Sequence, residues 1–179
     1  MGGCGVYRLD EETEADWWEV EALYDLCFAP GRTALSSYRL RDGVPTVAAL
    51  CLILRDDDGT LAAAIRYWPA EVGAGDDVLL LGPIAVHPTR QGEGLGALLI
   101  NESLAEARRL GWERALLVGD APYYRRFGFV RLDNVQMPPP TNPDRVLGLA
   151  LKAGAWDAVA GLVTKASGAS VPGTLAQQA

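Results

Sequence analysis

Three features of the 179-residue sequence predict an α/β fold, α+β in arrangement. Apolar runs flank the turn Asp56-Asp57-Asp58-Gly59, the pattern of a hairpin. Residues 78–86 are nearly all apolar, as in a strand buried on both faces. A glycine-rich turn follows, then an amphipathic helix and a further short apolar strand, all before residue 119.

Taken in order, residues 5–9 are a first strand candidate. Thr13 is placed to cap a helix reaching Phe28, with Trp17, Val20, Leu23, Leu26 and Cys27 on one face. Ala29-Pro30-Gly31 breaks it, and residues 32–41 suit a second short helix ended by Asp42-Gly43. Trp17, Trp18 and Tyr38 fit core packing or a lid over a substrate site. Residues 47–55 and 61–68 make the antiparallel hairpin, and 71–77 a glycine-containing loop. Gly82-Pro83 interrupts the next strand. Proline has no N–H for a ladder, so the pair predicts a bulge or the parting of two strands. A parting leaves the backbone of Ile84, Ala85 and Val86 free to pair with an amide-bearing ligand.

Residues 94–110 form a helix by pattern, with Leu95, Leu98, Leu99, Leu104 and Leu110 broadly periodic and Gly111 as its stop. Residues 115–118 are a strand. Asp120 can cap the next turn, with Pro122 just inside it, and residues 123–127 are helical. Gly128-Phe129 turns into another strand, 137–143 is a proline-rich loop, and 146–151 is the final strand. One domain over residues 1–165 is expected, with 166–179 a flexible tail.

The totals exclude several classes. A net charge of −7 argues against a nucleic-acid or anionic-membrane binder, since both need a basic footprint. Cys4, Cys27 and Cys51 are odd in number and widely spaced, which fits reduced thiols in a cytoplasmic protein and neither a disulfide nor a zinc framework. His87 is the single histidine, and no metal site is expected. No secretory pattern and no run of about 18 apolar residues is present.

Chemistry concentrates at Arg90-Gln91-Gly92-Glu93-Gly94-Leu95-Gly96, between a strand and a helix. Glycines allow close backbone approach, and a helix N-terminus offers free N–H groups and a positive dipole end. Together they suit a pyrophosphate, with Arg90, Arg125 and Arg126 as nearby cations. No Gly-Lys-Ser/Thr follows, so this is not a P-loop. The G-x-G-x-G spacing, five residues past the strand, also fits a dinucleotide fingerprint poorly, although Glu113 stands near the place of the ribose-binding acid.

These residues resemble the GNAT superfamily of acyl-CoA-dependent N-acyltransferases. Gln91 to Gly96 matches its Gln/Arg-x-x-Gly-x-Gly/Ala signature. Ile84 to Pro88, Leu110 to Trp112, and Tyr124-x-x-x-Gly128-Phe129 match flanking segments in order and separation. The run from Leu116 to Phe129 is similar to a bacterial branch of such acetyltransferases.

The resemblance implies a mixed, strongly bent sheet with splayed strands, flanked by helices. It implies acetyl-CoA as cosubstrate, with pantetheine hydrogen-bonded near Ile84, Ala85 and Val86. The pyrophosphate would lie on amides of Gln91, Gly92, Glu93, Gly94, Leu95 and Gly96. A primary amine would attack the thioester directly, and Tyr124 would protonate the departing thiolate, while Tyr123 packs inward. Residues 78–86 carry no acid, so the amine's proton is expected to leave through water, with Glu71 first among side-chain bases. His87, beside Pro88, is expected to position the turn. Two rivals stay open: a non-catalytic acyl-CoA sensor or interaction module, and a nucleotide-binding Rossmann-like protein. The acceptor, the acyl length and the oligomeric state, a homodimer included, are also open.

Overall fold

A computed structural model describes residues 6–168. The first strand, β1 (Arg8–Glu11), begins later than the residue pattern indicates. Thr13 and Asp16 form the expected start of the first helix: the Asp16 carboxylate accepts from the Thr13 N–H at 2.8 Å and its hydroxyl at 2.7 Å. A short 3₁₀ turn then leads into α1 (Trp17–Phe28). Its buried face is Val20, Leu23 and Tyr24, whereas Trp17 and Leu26 are exposed. The expected second helix is a 3₁₀ turn, Pro30–Ala34, followed by the single turn α2 (Ser36–Arg39).

The hairpin is present, but its arms are unequal. β2 (Leu52–Arg55) is short because Ala48–Leu50 curl into a 3₁₀ turn, while β3 (Leu61–Val72) runs for 12 residues. β4 (Asp76–Val86) follows after a tight turn, so most of the loop expected at 71–77 is strand. Next come α3 (Leu95–Arg109), β5 (Arg114–Val118), α4 (Ala121–Tyr124), β6 (Val130–Arg131), β7 (Val135–Gln136), β8 (Val146–Ala150) and β9 (Gly161–Lys165). β9 was not expected. Cys4 and residues 169–179 lie outside the described residues.

The sheet runs β1-β2-β3-β4-β5-β8-β6, and β9 pairs with β3 and β7. It is mixed: β4–β5 and β7–β9 are parallel and the other pairs antiparallel. β3 holds the assembly together. β4 lines one of its edges, so the other edge must carry both β2, near Leu61–Ile65, and β9, at Ala70–Val72.

Helices cover both faces. Leu95, Leu99, Ile100 and Leu104 of α3 pack on Ile65, Tyr67, Leu79, Leu81 and Leu117. Val20, Leu23 and Tyr24 of α1 pack on Ile53, Ala64 and Ala85. Within the first core, Tyr67 Oη lies 2.9 Å from Ser103 Oγ, which satisfies a fully buried phenol. Leu98, expected on the packed face of α3, is turned outward, and Ile100 takes its place. Leu99→Ala should therefore cost about 2–5 kcal/mol in urea unfolding, whereas Leu98→Ala should change stability by no more than about 0.5 kcal/mol.

Candidate active site

The site begins at Gly82 and Pro83. In the β3–β4 ladder Ile65 pairs with Ile84 and Tyr67 with Leu81, so Arg66 alone stands opposite both residues. That is a β-bulge on β4, with Gly82 at φ 119°, where a side chain would be strained. Only Leu79 and Leu80 pair with β5, at Ala115 and Leu116. Past them β5 stays beside β8 as far as Val118, and β4 continues without it. The two strands therefore part where the sequence indicated.

The parting bares one edge of β4, though not every residue on it. The His87 N–H donates to the Ala62 carbonyl at 2.8 Å. Alternation along an antiparallel ladder then turns the backbone of Ala85 toward Ala64, and that of Ile84 and Val86 toward the open side. Of the expected trio, Ile84 and Val86 thus have backbone groups on the open side, and those of Ala85 belong to the ladder with β3. The Val86 carbonyl also lies 3.4 Å from Cys27 Sγ, and the Pro83 carbonyl accepts from Tyr24 Oη at 3.1 Å.

The glycine turn lies at the far end of this edge. Gln91, Gly92, Glu93 and Gly94 are exposed, and α3 starts directly after Gly94, which has φ 80°. Leu95 is buried, so its backbone is the part available to a ligand there. A Cβ built on Gly94 would meet nothing within 4 Å, while one on Gly96 would sit 3.2 Å from Tyr123 Oη and 3.6 Å from Val86 Cγ2. The turn is thus an open cradle with a tight floor. Arg90 donates to Asp56 at 2.8 Å, and the Tyr7 hydroxyl donates to Glu93. His87 Nδ1 lies 2.8 Å from Thr89 Oγ1, which orders the turn as expected.

A cavity of about 450 Å³ occupies the parting. Its walls include Gly82, Ile84, Gly119, Asp120 and Tyr124. The Tyr124 ring lies so close to Gly119 that a Cβ there would be 2.5 Å from Cε2. Tyr124 also packs edge-on to Phe129 at 5.9 Å. Burial, reinforced by Tyr123, pushes its hydroxyl up to about 12. Tyr123 is not packed into the core as expected: it is 38% exposed and stacks under Arg126 at 4.5 Å, and it lines the same cavity as Tyr124. Asp120 starts α4 through its backbone carbonyl, which accepts from Tyr123 and Tyr124 at 3.1 Å, and its side chain makes no capping bond.

Glu71 is not brought to this cavity. It stands at the other end of the β3–β4 hairpin, opposite Asp77, and accepts from the N–H and hydroxyl of Ser167 at 2.7 and 2.5 Å. A strand of 12 residues carries its ends far apart, which the residue spacing did not reveal. The sequence reading also passed over Arg32, Arg41 and Arg145, all on the cavity wall. Their signal is faint: they are separate arginines in loops with no shared period.

The wall facing α1 is braced by charge. Arg66 donates to Glu12 at 2.6 Å and to Glu21, and Arg32 donates to Glu21 at 2.6 Å, Asp25 at 3.0 Å and Tyr38 at 3.0 Å. Both guanidinium groups lie over the Tyr24 ring, at 5.2 and 5.6 Å. Among the described residues no three His, Cys, Asp or Glu side chains gather as a metal would require.

Residues 11–129 match the sequence profile of the acetyltransferase (GNAT) family. The chain belongs to that family. The uncharacterized N-acetyltransferase YhbS of Escherichia coli K12 is 31% identical over 113 residues, which is 62% of this chain and 65% of that relative, just under two thirds. The crystal structure of Escherichia coli YhbS with CoA superposes with a TM-score of 0.78 at 25% identity, covering 92% of both chains. A GNAT acetyltransferase from Brucella melitensis, solved with acetyl-CoA, gives 0.63 at 28% identity over 83% of this chain and 90% of that one. These GNAT structures share the mixed sheet flanked by helices. No helix among the described residues is long and apolar enough to cross a membrane.

The brace predicts an acid sensitivity. Burial alone would raise the Glu21 carboxyl, but hydrogen bonds from Arg32 and Arg66 outweigh it and hold it below its ordinary 4.5. A depressed carboxyl contributes stability that is present above the ordinary value and lost as pH falls through the folded one. Glu21→Gln should therefore lose less stability than the parent protein between about pH 5 and 3, read from urea unfolding at each pH.

Proposed function

We propose that the protein is a cytoplasmic N-acetyltransferase, with residues 1–165 as one catalytic domain. It moves the acetyl group of acetyl-CoA to a primary amine by direct attack. The observation that carries this reading is the cavity between β4 and β5, with the glycine cradle at one end of the bare edge and Tyr124 on its wall. The free-edge groups of Ile84 and Val86 suit the amides of a pantetheine arm, and the N–H groups at 91–96 suit a pyrophosphate. Arg90 lies alongside, with part of its charge already met by Asp56.

Once the ammonium has lost one proton, the amine nitrogen bonds to the thioester carbonyl carbon, the carbon–sulfur bond breaks, and a second proton leaves the nitrogen, balancing the one the sulfur gains. Neutralising a lysine-like amine at pH 7 costs roughly 4–5 kcal/mol. The cavity's wall supports a water chain ending on the Asp120 carboxylate for that proton, in place of Glu71. Tyr124 keeps its proton across the working pH range and so is a donor, never a base. Full transfer from a phenol near 12 to an ordinary thiolate, about 8.5, is uphill. A thiolate leaving into the same desolvated cavity is raised by the same burial, which narrows that gap. Tyr124 then donates a hydrogen bond, and finally a proton, to the departing sulfur.

Calorimetry should detect acetyl-CoA binding by the parent protein, weakened more than about tenfold in Gly94→Trp, whose side chain would fill the cradle. No binding by the parent protein would sink the acyl-CoA reading. Once an accepted amine is known, Tyr124→Phe should lower kcat by about 10²–10³ with little change in the KM for acetyl-CoA. Because the phenol's pKa is raised, kcat should not fall from its loss before pH approaches 12. Unchanged turnover in Tyr124→Phe would remove Tyr124 from the chemistry.

A further inference from the structure

We propose that the acceptor is a small amine that also bears an oxyanion, a carboxylate or a phosphate, and that Arg41 holds that oxyanion. The proposal rests on the acyltransferase reading above and names its substrate class.

Three arginines near the cavity are buried, and two are neutralised within the chain. Arg32 has Glu21 and Asp25, and Arg66 has Glu12 and Glu21. Arg41 is only 7% exposed and forms no ion pair among the described residues. Its Nε and Nη1 have no hydrogen-bond partner among the described residues. A buried, uncompensated cation is costly, and burial pushes this guanidinium down to about 10. The Tyr38 ring at 4.3 Å and the Trp68 ring at 6.0 Å offset part of that cost, but they supply no counter-charge. Trp68 Nε1 is a second buried donor without an acceptor. The missing partner is an acceptor that carries negative charge.

Position selects the ligand that brings it. A Cβ on Gly82 would lie 3.5 Å from Arg41 Nη2, so the guanidinium tip sits at the bulge where β4 and β5 part. Arg41 lines the 450 Å³ cavity together with Tyr124 and Asp120, and also a shallower cavity of about 1050 Å³ beside it. The glycine cradle lies beyond the opposite end of the bare edge, past Val86, so an anion at Arg41 is distinct from a pyrophosphate held there. A volume of this size takes a small molecule. The planar guanidinium fork matches a carboxylate or phosphate in two-point contact. The acidic Asp120, which lines the same cavity, suits the amine end of such a molecule.

The test compares paired amines in an acetyl-CoA turnover assay: L-amino acids against their carboxamides, and O-phosphoethanolamine against ethanolamine. The anionic member of at least one pair should be preferred in kcat/KM by about 30-fold or more, and the pair identifies which oxyanion is used. Arg41→Met should remove that preference while acetyl-CoA binding, measured by calorimetry, stays at the parent level. Should Arg41→Met fail to fold, Arg41→Lys, which keeps the charge without the fork, should weaken the anionic substrate several-fold more than the neutral one. Equal use of both members, a preference that survives in these variants, or acetyl-CoA binding with no turnover of any panel member would each overturn the inference and leave the acyl-CoA site standing. Absence of acetyl-CoA binding would instead remove the acyltransferase reading, and this inference with it.

Discussion

One extra residue in β4 organises both the core and the site. Before the bulge, Leu79 and Leu81 face α3 while Val78 and Leu80 face the other side. After it, Ile84 and Val86 pack toward α3 and Ala85 toward α1. Unbroken alternation would have reversed that set, since a one-residue slip exchanges the faces of a strand. Opposite this bulge β3 keeps its alternation, with Ala64, Ala70 and Val72 on one face and Ile65 and Tyr67 on the other; its own irregularity lies earlier, at Ala62 against β2. Within the β3–β4 ladder the extra residue therefore belongs to β4. It keeps both ends of that strand packed while its outer edge departs from β5, and it lets the Arg41 side chain approach the backbone at Gly82.

The chemistry of the cavity follows from what surrounds that gap. Gly119, at the end of β5, has no Cβ, and the Tyr124 ring fills the space. The phenol is thereby held against apolar neighbours, and desolvation raises it. On the opposite wall, Glu21 bridges Arg32 and Arg66, and these stack on Tyr24, whose hydroxyl reaches Pro83. Helix α1 is thus tied to the bulge by charge and by a hydrogen bond as well as by its apolar face. In this frame Arg41 stands out, among the described residues, as the one buried arginine left without a carboxylate.

Much of the fold was legible because it is written in local periods. The turn at Asp56–Gly59, the apolar run before Gly82-Pro83, and helix α3 between Gly94 and Gly111 each show their pattern within a dozen or so residues. The family resemblance rested on the same stretch, and the profile match bears it out. Less legible were elements whose existence depends on a distant partner. β9 is five residues long and forms by pairing with Ala70–Val72, about ninety positions earlier. The buried face of α1 was misjudged at Trp17 and Leu26, because the helix docks through Tyr24 and not through its most apolar side chains.

The sequence by itself determined the order of strands and helices, the parting at Gly82-Pro83 and the glycine turn, because backbone restrictions and hydrophobic alternation act between near neighbours. Tertiary structure decided what each functional side chain meets. It set Tyr124 deeper in the cavity wall than the exposed Tyr123 beside it, carried Glu71 to the far end of its hairpin, and buried Arg41 beside the bulge with no carboxylate partner among the described residues. Burial, register and electrostatic pairing are set by segments distant in the chain, and no local pattern of residues encodes them.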